Sequence, residues 1–311
     1  MTDIDDQLFF VVNPNSQGGK TRKEWSKFEK VLKDSLGNNF DFKLADGIGT
    51  GMEISKDAIQ DGCNTIVSVG GEGTTNEVVN AILQSKNSGK TISLGFIRSG
   101  TANDFLSNNV YDWPITLEEQ IKAIKRGKTR TIPITKVIGD ITRFGINIAD
   151  AGIGAKVSYD SSVKRRLQWI KGDFRYTLLA VLNAIRWKNN PATVKFDHEE
   201  VEGDLTLFMS GFSQMGGGFQ TLPQASLEND KMAYLLVKDF SRLKILKFLN
   251  TVKKGKHNNS IEGIYMDHSS KIEINAENPI LFEIDGEPFS YDSTKIIIEA
   301  VPNALRLIDH T

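Results

Sequence analysis

The stretch VSVGGEGTTNEVVN, residues 67–80, sets the architecture of the first half of the chain. A β-branched run leads into Gly70, Gly71 and Gly73, after which apolar residues recur at helical spacing. This pattern predicts a buried strand, a glycine turn and a helix. Such a turn directs backbone N–H groups and the positive end of a helix dipole at one point, which suits a phosphate. Glu72 lies within the turn, where a carboxylate would help to hold a divalent cation beside phosphates.

Strands and helices alternate up to about residue 130. The pattern predicts strands at 7–13, 41–45, 65–69 and 93–97, and helices at 22–35, 52–60 and 117–125. We therefore expect an α/β domain with a doubly wound parallel sheet at 1–130, with ligands beyond the carboxyl ends of the strands. Short β-rich segments follow, which predict an antiparallel β-sandwich domain at 131–311 with inserted helices at 162–187 and 242–253. Whether the last segment returns to the first domain is left open.

Composition excludes several classes of protein. The chain has 311 residues and a net charge of −1, so nothing indicates a nucleic-acid partner. Cys63 is the single cysteine, which we interpret as a small core residue. No apolar run approaches the roughly 20 residues of a membrane span, and the longest, 176–185, is interpreted as a packed helix. With no signal peptide, a cytoplasmic location is expected.

Two further turns resemble the first in their glycine content. Residues 11–20, VVNPNSQGGK, and residues 95–105, GFIRSGTANDF, each follow a predicted strand. Either could be a plain turn or a helix cap. As phosphate-binding turns they supply a set of candidate polar and glycine residues: Asn13, Pro14, Asn15, Ser16, Gly100, Thr101, Asn103 and Asp104.

Together these stretches resemble the diacylglycerol kinase catalytic family, whose signature reads Gly-Gly-Asp-Gly-Thr-x-x-Glu-Val-x-Asn. NAD kinases and phosphofructokinases share only its first residues, so the continuation at 76–80 favours the lipid kinases. The resemblance implies ATP and Mg²⁺ as cofactors and a lipid alcohol at a membrane surface as acceptor. It adds nucleotide-binding candidates in the first motif: Gly70, Gly71, Gly73, Thr74, Asn76 and Glu77.

The family's Asp-Gly-Glu block is matched near the end of the chain, at FEIDGE, residues 282–287. By resemblance, Asp285 or Glu287 takes the proton from the attacking lipid hydroxyl, with Glu72 as a third catalytic candidate. A surface turn is the alternative interpretation. Glu72 and Asp104 would place Mg²⁺, and Asp230 is a further metal candidate. Because donor and acceptor groups come from different halves, the site is predicted in the cleft between the domains.

The acidic positions depart most from the family pattern. Glu72 stands where aspartate is common, residues 133–136 read PITK in place of Asp-x-Gly-Lys, and residues 227–231, LENDK, lack a glycine. One hypothesis is an active ATP-dependent lipid kinase that converts diacylglycerol to phosphatidic acid. A second is a nucleotide- or lipid-binding relative with weak or no kinase activity. A third is a kinase of a soluble substrate such as NAD.

Cations and interfacial aromatic residues mix between residues 164 and 188. The stretch KRRLQWIK, residues 164–171, and the later Arg175, Tyr176, Arg186, Trp187 and Lys188 are typical of a surface that rests on anionic lipid. We hypothesise peripheral contact with the inner face of the membrane. An ordinary helix with a solvated basic face fits equally well. No feature of the sequence predicts an oligomeric state.

Overall fold

A computed structural model describes residues 7–85, 91–99, 104–107, 110–164, 166–167, 170, 173–253, 255–290 and 292–311. The chain forms two compact units, one of residues up to Ile132 together with Asn303–Thr311, the other Pro133–Pro302. The domain division at residue 130 stays a prediction, because compactness alone does not establish that each part folds independently.

Strands and helices alternate in the first unit. Its elements are β1 (Leu8–Val12), α1 (Ser16–Leu36), β2 (Phe40–Leu44), α2 (Thr50–Gln60), β3 (Thr65–Gly70), α3 (Glu72–Gln84), β4 (Ser93–Arg98), α4 (Leu117–Arg126) and the start of β5 (Thr129–Ile138). The sheet is parallel in the order β2-β1-β3-β4, and Arg306 and Leu307 extend it beside Ser93 and Leu94. The predicted doubly wound parallel sheet is therefore confirmed. Strand order reverses between β1 and β3, the place where such sheets bind ligands.

Apolar strands form the core of this unit. Every residue of β1 and β3 is buried, as expected for parallel strands covered by helices on both faces. Cys63 lies just before β3, and its Sγ is 3.0 Å from the carbonyl oxygen of Gln7 and 3.2 Å from that of Thr65. The interpretation of Cys63 as a small core residue is confirmed.

The start of α1 departs from a regular helix. Gln17, Gly18 and Gly19 have φ of 52°, 67° and 86°, so the regular turns begin only after Gly19. Glycine enters this left-handed region at little cost, whereas glutamine does so rarely. The predicted helix at 22–35 thus covers the regular part of α1, and the glycines form the turn that precedes it.

The second unit is a largely antiparallel sandwich with helices inserted. Its elements are the end of β5, β6 (Thr142–Gly145), β7 (Ile148–Gly152), α5 (Ile153–Ser162), α6 (Asp173–Arg186), β8 (Asn190–Lys195), β9 (Glu200–Gly211), β10 (Met215–Gly216), β11 (Phe219–Gln220), β12 (Met232–Lys238), α7 (Arg242–Lys253), β13 (Ile264–Ser269), β14 (Lys271–Ala276), β15 (Phe282–Ile284), β16 (Glu287–Ser290) and β17 (Lys295–Ile308), which ends in the first unit. The predicted antiparallel architecture is confirmed.

The long strand β9 organises this sheet. Its first half pairs with β8, and its second half lies between β7 and β12. On the other side of β7 comes β15, followed by β16. A core of aliphatic residues from β7, β9 and β12 packs with Phe240, Phe248 and neighbours on α7.

The structure adds two elements to those predicted for this half. Helix α6 lies within the helical region predicted at 162–187, whereas α5 ends where that region begins, and neither α5 nor β7 was predicted as a separate element. All five residues of β7 are buried, so the alternation that marks a half-exposed strand is missing. The segment 176–185 packs through the buried Leu179 and Ala184, and its other side exposes Tyr176, Leu182 and Ile185. No helix of the described residues is long and apolar enough to span a bilayer.

Candidate active site

The three predicted turns lie together at the carboxyl ends of β1, β3 and β4. The Asn13 N–H donates to the Val69 carbonyl at 2.8 Å, which joins the first turn to the end of β3. The Ser99 N–H donates to the Gly70 carbonyl at 3.3 Å, which joins the third turn to the second. The prediction that strand ends gather these segments at one edge is confirmed.

Side chains tie the turns together further. The Asn13 Nδ2 donates to the Thr74 Oγ1 at 3.0 Å. The Ser16 Oγ lies 2.5 Å from the Thr21 Oγ1 and 3.0 Å from the Ser99 Oγ, and Thr21 and Ser99 are also in close hydrogen-bond contact. These bonds link residues far apart in sequence, so each turn supports the geometry of the other two.

The first turn is also linked to the segment after β2. The Asn15 Nδ2 donates to the Asp46 Oδ1 at 2.9 Å, and Arg22 pairs with the same oxygen at 2.7 Å. Hydrogen bonds from Arg22 and Asn15 lower the pKa of Asp46. Pro14 is buried beneath this turn. Of the predicted nucleotide-binding residues here, Asn15 therefore has its amide engaged with Asp46.

Gly70 and Gly71 give the second turn its path. A Cβ at Gly70 would lie 2.7 Å from the Thr74 Cβ, far inside normal contact, so only glycine fits this position. Gly71 is extended, with φ −97° and ψ −166°, and α3 begins directly at Glu72. Gly73 lies in the first turn of that helix, where its N–H is among those without an intrahelical partner.

Two predicted nucleotide-binding residues of α3 have structural partners. The Glu77 carboxylate accepts the N–H groups of Gly49 at 2.7 Å and Gly51 at 2.8 Å, at the start of α2. Asn76 is buried, and its carbonyl and side-chain oxygen both accept from the Asn80 amide at 2.9 and 3.1 Å. These contacts give the side chains of Asn76 and Glu77 a structural role next to the glycine turn.

Only part of the third turn is described. Gly100, Thr101 and Asn103 lie outside the described residues. The Arg98 guanidinium donates to the carbonyls of Leu106 and, at 2.8 Å, Trp113. Burial lowers the pKa of Arg98. Arg98 thus holds the segment that follows the turn, a role that no local pattern indicated.

Glu72 and Asp104 are brought together. The Asp104 N–H donates to the Glu72 Oε1 at 2.9 Å. Asp230 is exposed in the segment before β12. Among the described residues no three His, Cys, Asp or Glu side chains form a group that could hold a metal. Mg²⁺ keeps several waters and takes further ligands from substrate phosphates, so a site for it needs few protein carboxylates. Mg²⁺ binding by Glu72 and Asp104 therefore stays a prediction.

In the second unit, Asp285 and Gly286 form the two-residue loop between β15 and β16. Their φ angles are 52° and 83°, the left-handed pair of a type I′ hairpin turn. The Asp285 carboxylate accepts the N–H of Ile146 at 3.0 Å and of Asn147 at 2.8 Å. Asp285 is only 7% exposed, whereas Glu287 is exposed. The two backbone N–H groups therefore fix the direction of the Asp285 carboxylate.

Two acidic residues beside this turn were missed by sequence reasoning. Asp150 on β7 and Glu283 on β15 are direct cross-strand partners and are 3% and 6% exposed. Burial raises the pKa of both well above the usual range, and the charges of Asp150 and Asp285 raise that of Glu283 further. Glu283 lies two residues before Asp285, and residues two apart share one face of a strand, so this spacing is the signal that could have identified Glu283. No sequence feature marked Asp150.

Comparison with known proteins agrees with this architecture. The diacylglycerol kinase catalytic domain family matches residues 7–137, and the YegS C-terminal NAD kinase beta sandwich-like domain matches residues 147–309. A probable lipid kinase YegS-like protein of Cronobacter sakazakii is 28% identical over 89% of this chain and 88% of its own length. A diacylglycerol kinase of Staphylococcus epidermidis is 27% identical over 84% of this chain and 81% of its own.

Solved structures share the fold. A crystal structure of a diacylglycerol kinase from Bacillus anthracis aligns with a TM-score of 0.72 at 17% identity, over 98% of this chain and 97% of that one. The two matched domain families, the relatives and the shared fold all agree with the motifs found in the sequence. The chain therefore belongs to the diacylglycerol kinase catalytic family of lipid kinases, with a YegS-type C-terminal domain.

Proposed function

We propose that this protein is an ATP-dependent lipid kinase that transfers the γ-phosphate of ATP to the hydroxyl of diacylglycerol, forming phosphatidic acid. The observation that carries this proposal is the joining of three phosphate-type turns at the switch point of a parallel sheet, with Asn13 bonded to Thr74 and Ser16 to Ser99. Diacylglycerol is the acceptor that the family name and the S. epidermidis relative support.

Phosphoryl transfer requires that the protein align the acceptor with the phosphate and neutralise the phosphate charge, and it requires little covalent chemistry from the protein. In this proposal the backbone N–H groups of the glycine turns hold the nucleotide phosphates. Glu72 and Asp104 would hold Mg²⁺, which would supply neutralisation of the phosphate charge when bound with ATP. The remaining nucleotide candidates, Asn76 and Glu77 among them, position the turn through the bonds described above.

Asp285 is the proposed base. Its two carboxylate oxygens each accept one backbone N–H, which fixes the direction of the group. A carboxylate of this kind can take the proton of an attacking hydroxyl as a general base. Glu287, exposed at the start of β16, is proposed to assist in orienting the acceptor rather than to take the proton.

A kinase of a soluble substrate such as NAD is the second candidate. It is supported by the description of the matched C-terminal domain as NAD kinase beta sandwich-like. A nucleotide-binding relative without catalysis is the third, and the ordered Asp285 argues against it. The first two candidates differ in their acceptor, and the third transfers phosphate to no acceptor.

The test is a purified-protein assay with γ-labelled ATP and Mg²⁺ against a panel of diacylglycerol, ceramide, sphingosine and NAD. We expect label in phosphatidic acid from diacylglycerol micelles, with ATP binding measured separately by calorimetry. Label in NADP without detergent would support the second candidate instead. ATP binding without label in any acceptor would support the third and end the kinase proposal.

The exposed face of α6 supports a membrane-surface substrate. Phe174, Leu182 and Ile185 are 66%, 38% and 51% exposed, and their spacing of eight and three residues places them on one side of the helix. Arg186 and Lys188 are exposed at its end. Apolar residues flanked by cations suit an anionic lipid surface. Of the earlier candidates, Arg165, Gln168, Trp169 and Lys171 lie outside the described residues.

We therefore expect the double variant Phe174→Gln/Ile185→Gln to bind anionic vesicles at least about tenfold more weakly, since each side chain loses ~1.5–3 kcal/mol of burial when fully inserted. Vesicle pelleting with and without phosphatidylglycerol measures this. The control is Leu243→Gln, which removes an equally apolar side chain that is 73% exposed on α7. Equal binding by the double variant and the wild type would contradict a lipid role for this face.

A further inference from the structure

The Asp150 and Glu283 carboxyl groups occupy the same buried stretch of sheet. The two residues face each other in the antiparallel β7–β15 pair, and partners in such pairs have Cβ atoms about 4.5–5.5 Å apart on one face. They are only 3% and 6% exposed. Two carboxylates this close and this dry cannot both be ionised without a large cost.

The space next to the Asp150 side chain is restricted. A Cβ at Gly154, in the first turn of α5, would lie 2.6 Å from the Asp150 Cγ, so glycine is required there. One oxygen of each acid is left over: within the described part of the chain the Asp150 Oδ1 and the Glu283 Oε2 have no hydrogen-bond partner. An unpaired buried carboxylate oxygen is costly, and a proton carried by its neighbour would satisfy it.

The adjoining turn adds further acids to the surroundings of the pair. From the β15–β16 turn, the charged groups are Asp285 and Glu287, which both act on Glu283. The position of β9 opposite Asp150 is Met209. Lys156 of α5 pairs with Asp160 at 3.4 Å. Arg143 is the charged residue of β6, which packs on β15, and it is partly exposed.

We propose that Asp150 and Glu283 retain at least one shared proton at neutral pH and that this protonated pair positions the turn that carries Asp285. The link to that turn is direct, because the Asp285 N–H donates to the Ile148 carbonyl at 3.0 Å, two residue positions along the same β7–β15 ladder. Loss of the proton would place two like charges opposite each other in this ladder and loosen it. The presence of the shared proton does not depend on the proposed kinase function, whereas its effect on catalysis rests on that function.

The sign of the pH dependence follows from linkage. An acid whose pKa is higher in the folded than in the unfolded protein binds more protons in the folded state. Its contribution to the free energy of unfolding is therefore greatest at low pH and is lost as pH rises through the folded pKa. The unfolded acids ionise near 4. Between there and the folded pKa of the pair, the folding equilibrium constant falls by about tenfold per pH unit for each retained proton.

The decisive variant is Glu283→Gln, with Asp150→Asn as a second route to the same result. A glutamine amide can donate to Asp150 as a protonated Glu283 would. We expect the pH slope of the wild-type folding constant, measured by urea unfolding at a series of neutral and alkaline pH values, to shrink by about one proton in each variant. Infrared spectra should show a protonated carboxyl band at neutral pH in the wild type that is lost in the double variant.

Catalysis supplies the readout for positioning. In the lipid assay we expect the wild-type kcat to fall at alkaline pH, and Glu283→Gln to retain activity to higher pH with KM for ATP unchanged. The control is Glu200→Gln, an exposed acid on β9, which should move neither slope nor profile. If kinase activity is absent altogether, the proposed function fails while the unfolding and infrared results still test the proton.

Three results would overturn the proposal. They are an unchanged unfolding slope in both variants, the absence of a protonated carboxyl band in the wild type, or stabilisation of the wild type but not Glu283→Gln by Mg²⁺ alone. The last would mean that a cation, and not a proton, neutralises the pair.

Discussion

Asp285→Asn is expected to lower kcat for lipid phosphorylation by about 10²- to 10⁴-fold, the range that a positioned general base contributes. ATP affinity should be unchanged, because the nucleotide turns belong to other residues. Asparagine tolerates the left-handed backbone at φ 52°, so the hairpin turn should persist. Steady-state kinetics together with ATP calorimetry separates the two effects.

The same substitution has a structural cost that must be measured beside it. The asparagine NH₂ would face one of the two N–H donors that the carboxylate now accepts, and an unsatisfied buried group costs ~1–3 kcal/mol. Urea unfolding checks that the variant remains folded under assay conditions. Asp267→Asn is the matched control, since its side chain is 76% exposed on β13. A folded Asp285→Asn enzyme with near wild-type kcat would assign the base elsewhere, with Glu287 the next candidate.

Gly70→Ala is expected to weaken ATP binding by at least about tenfold and to lower kcat/KM for ATP by about 10²-fold, the cost of a misplacement of about 1 Å. The new Cβ would lie 2.7 Å from the Thr74 Cβ, so the first turn of α3 must move. That movement breaks the bond from Asn13 to Thr74, which joins two of the three turns. Isothermal calorimetry with ATP and Mg²⁺ measures the affinity directly.

Gly47→Ala is the matched control for this substitution. Its Cβ would meet the Thr50 Cγ2 at 3.4 Å, an ordinary contact in an exposed loop. We expect wild-type ATP affinity for that variant. Unaltered ATP affinity in Gly70→Ala, with the protein folded, would show that the β3–α3 turn does not hold the nucleotide, and the proposed phosphate site would have to move to another turn.

Local patterns predicted most of the first unit because its segments report their own environment. The stretch from Val67 to Asn80 contains a β-branched run, a glycine turn and an apolar helical face, and each of these constrains the backbone where it occurs. The Asp285–Gly286 turn is likewise a local property, since two left-handed residues in succession favour this pair. Family membership followed from the same stretches, because their order along the chain is specific.

Contacts between distant residues could not be read in this way. The role of Arg98 depends on the Leu106 and Trp113 carbonyls, and that of Glu77 on the amides of Gly49 and Gly51. Neither partner is marked by spacing or residue type. Helix α6 was interpreted as a packed helix, and the structure shows that one of its faces is buried and another exposed. Composition reports hydrophobicity, whereas burial depends on what packs against each face.

From residue order alone came the parallel sheet, the three glycine turns, the antiparallel second half and the kinship with lipid kinases, since each depends on interactions within a few residues. The pairing of Asp150 with Glu283 came only from the folded chain, because a strand register joins residues 133 positions apart through backbone hydrogen bonds that any side chain permits. Whether an acid in a sheet is a solvated charge or a buried proton carrier depends on its neighbours across the strands, and those neighbours are known only once the sheet has formed.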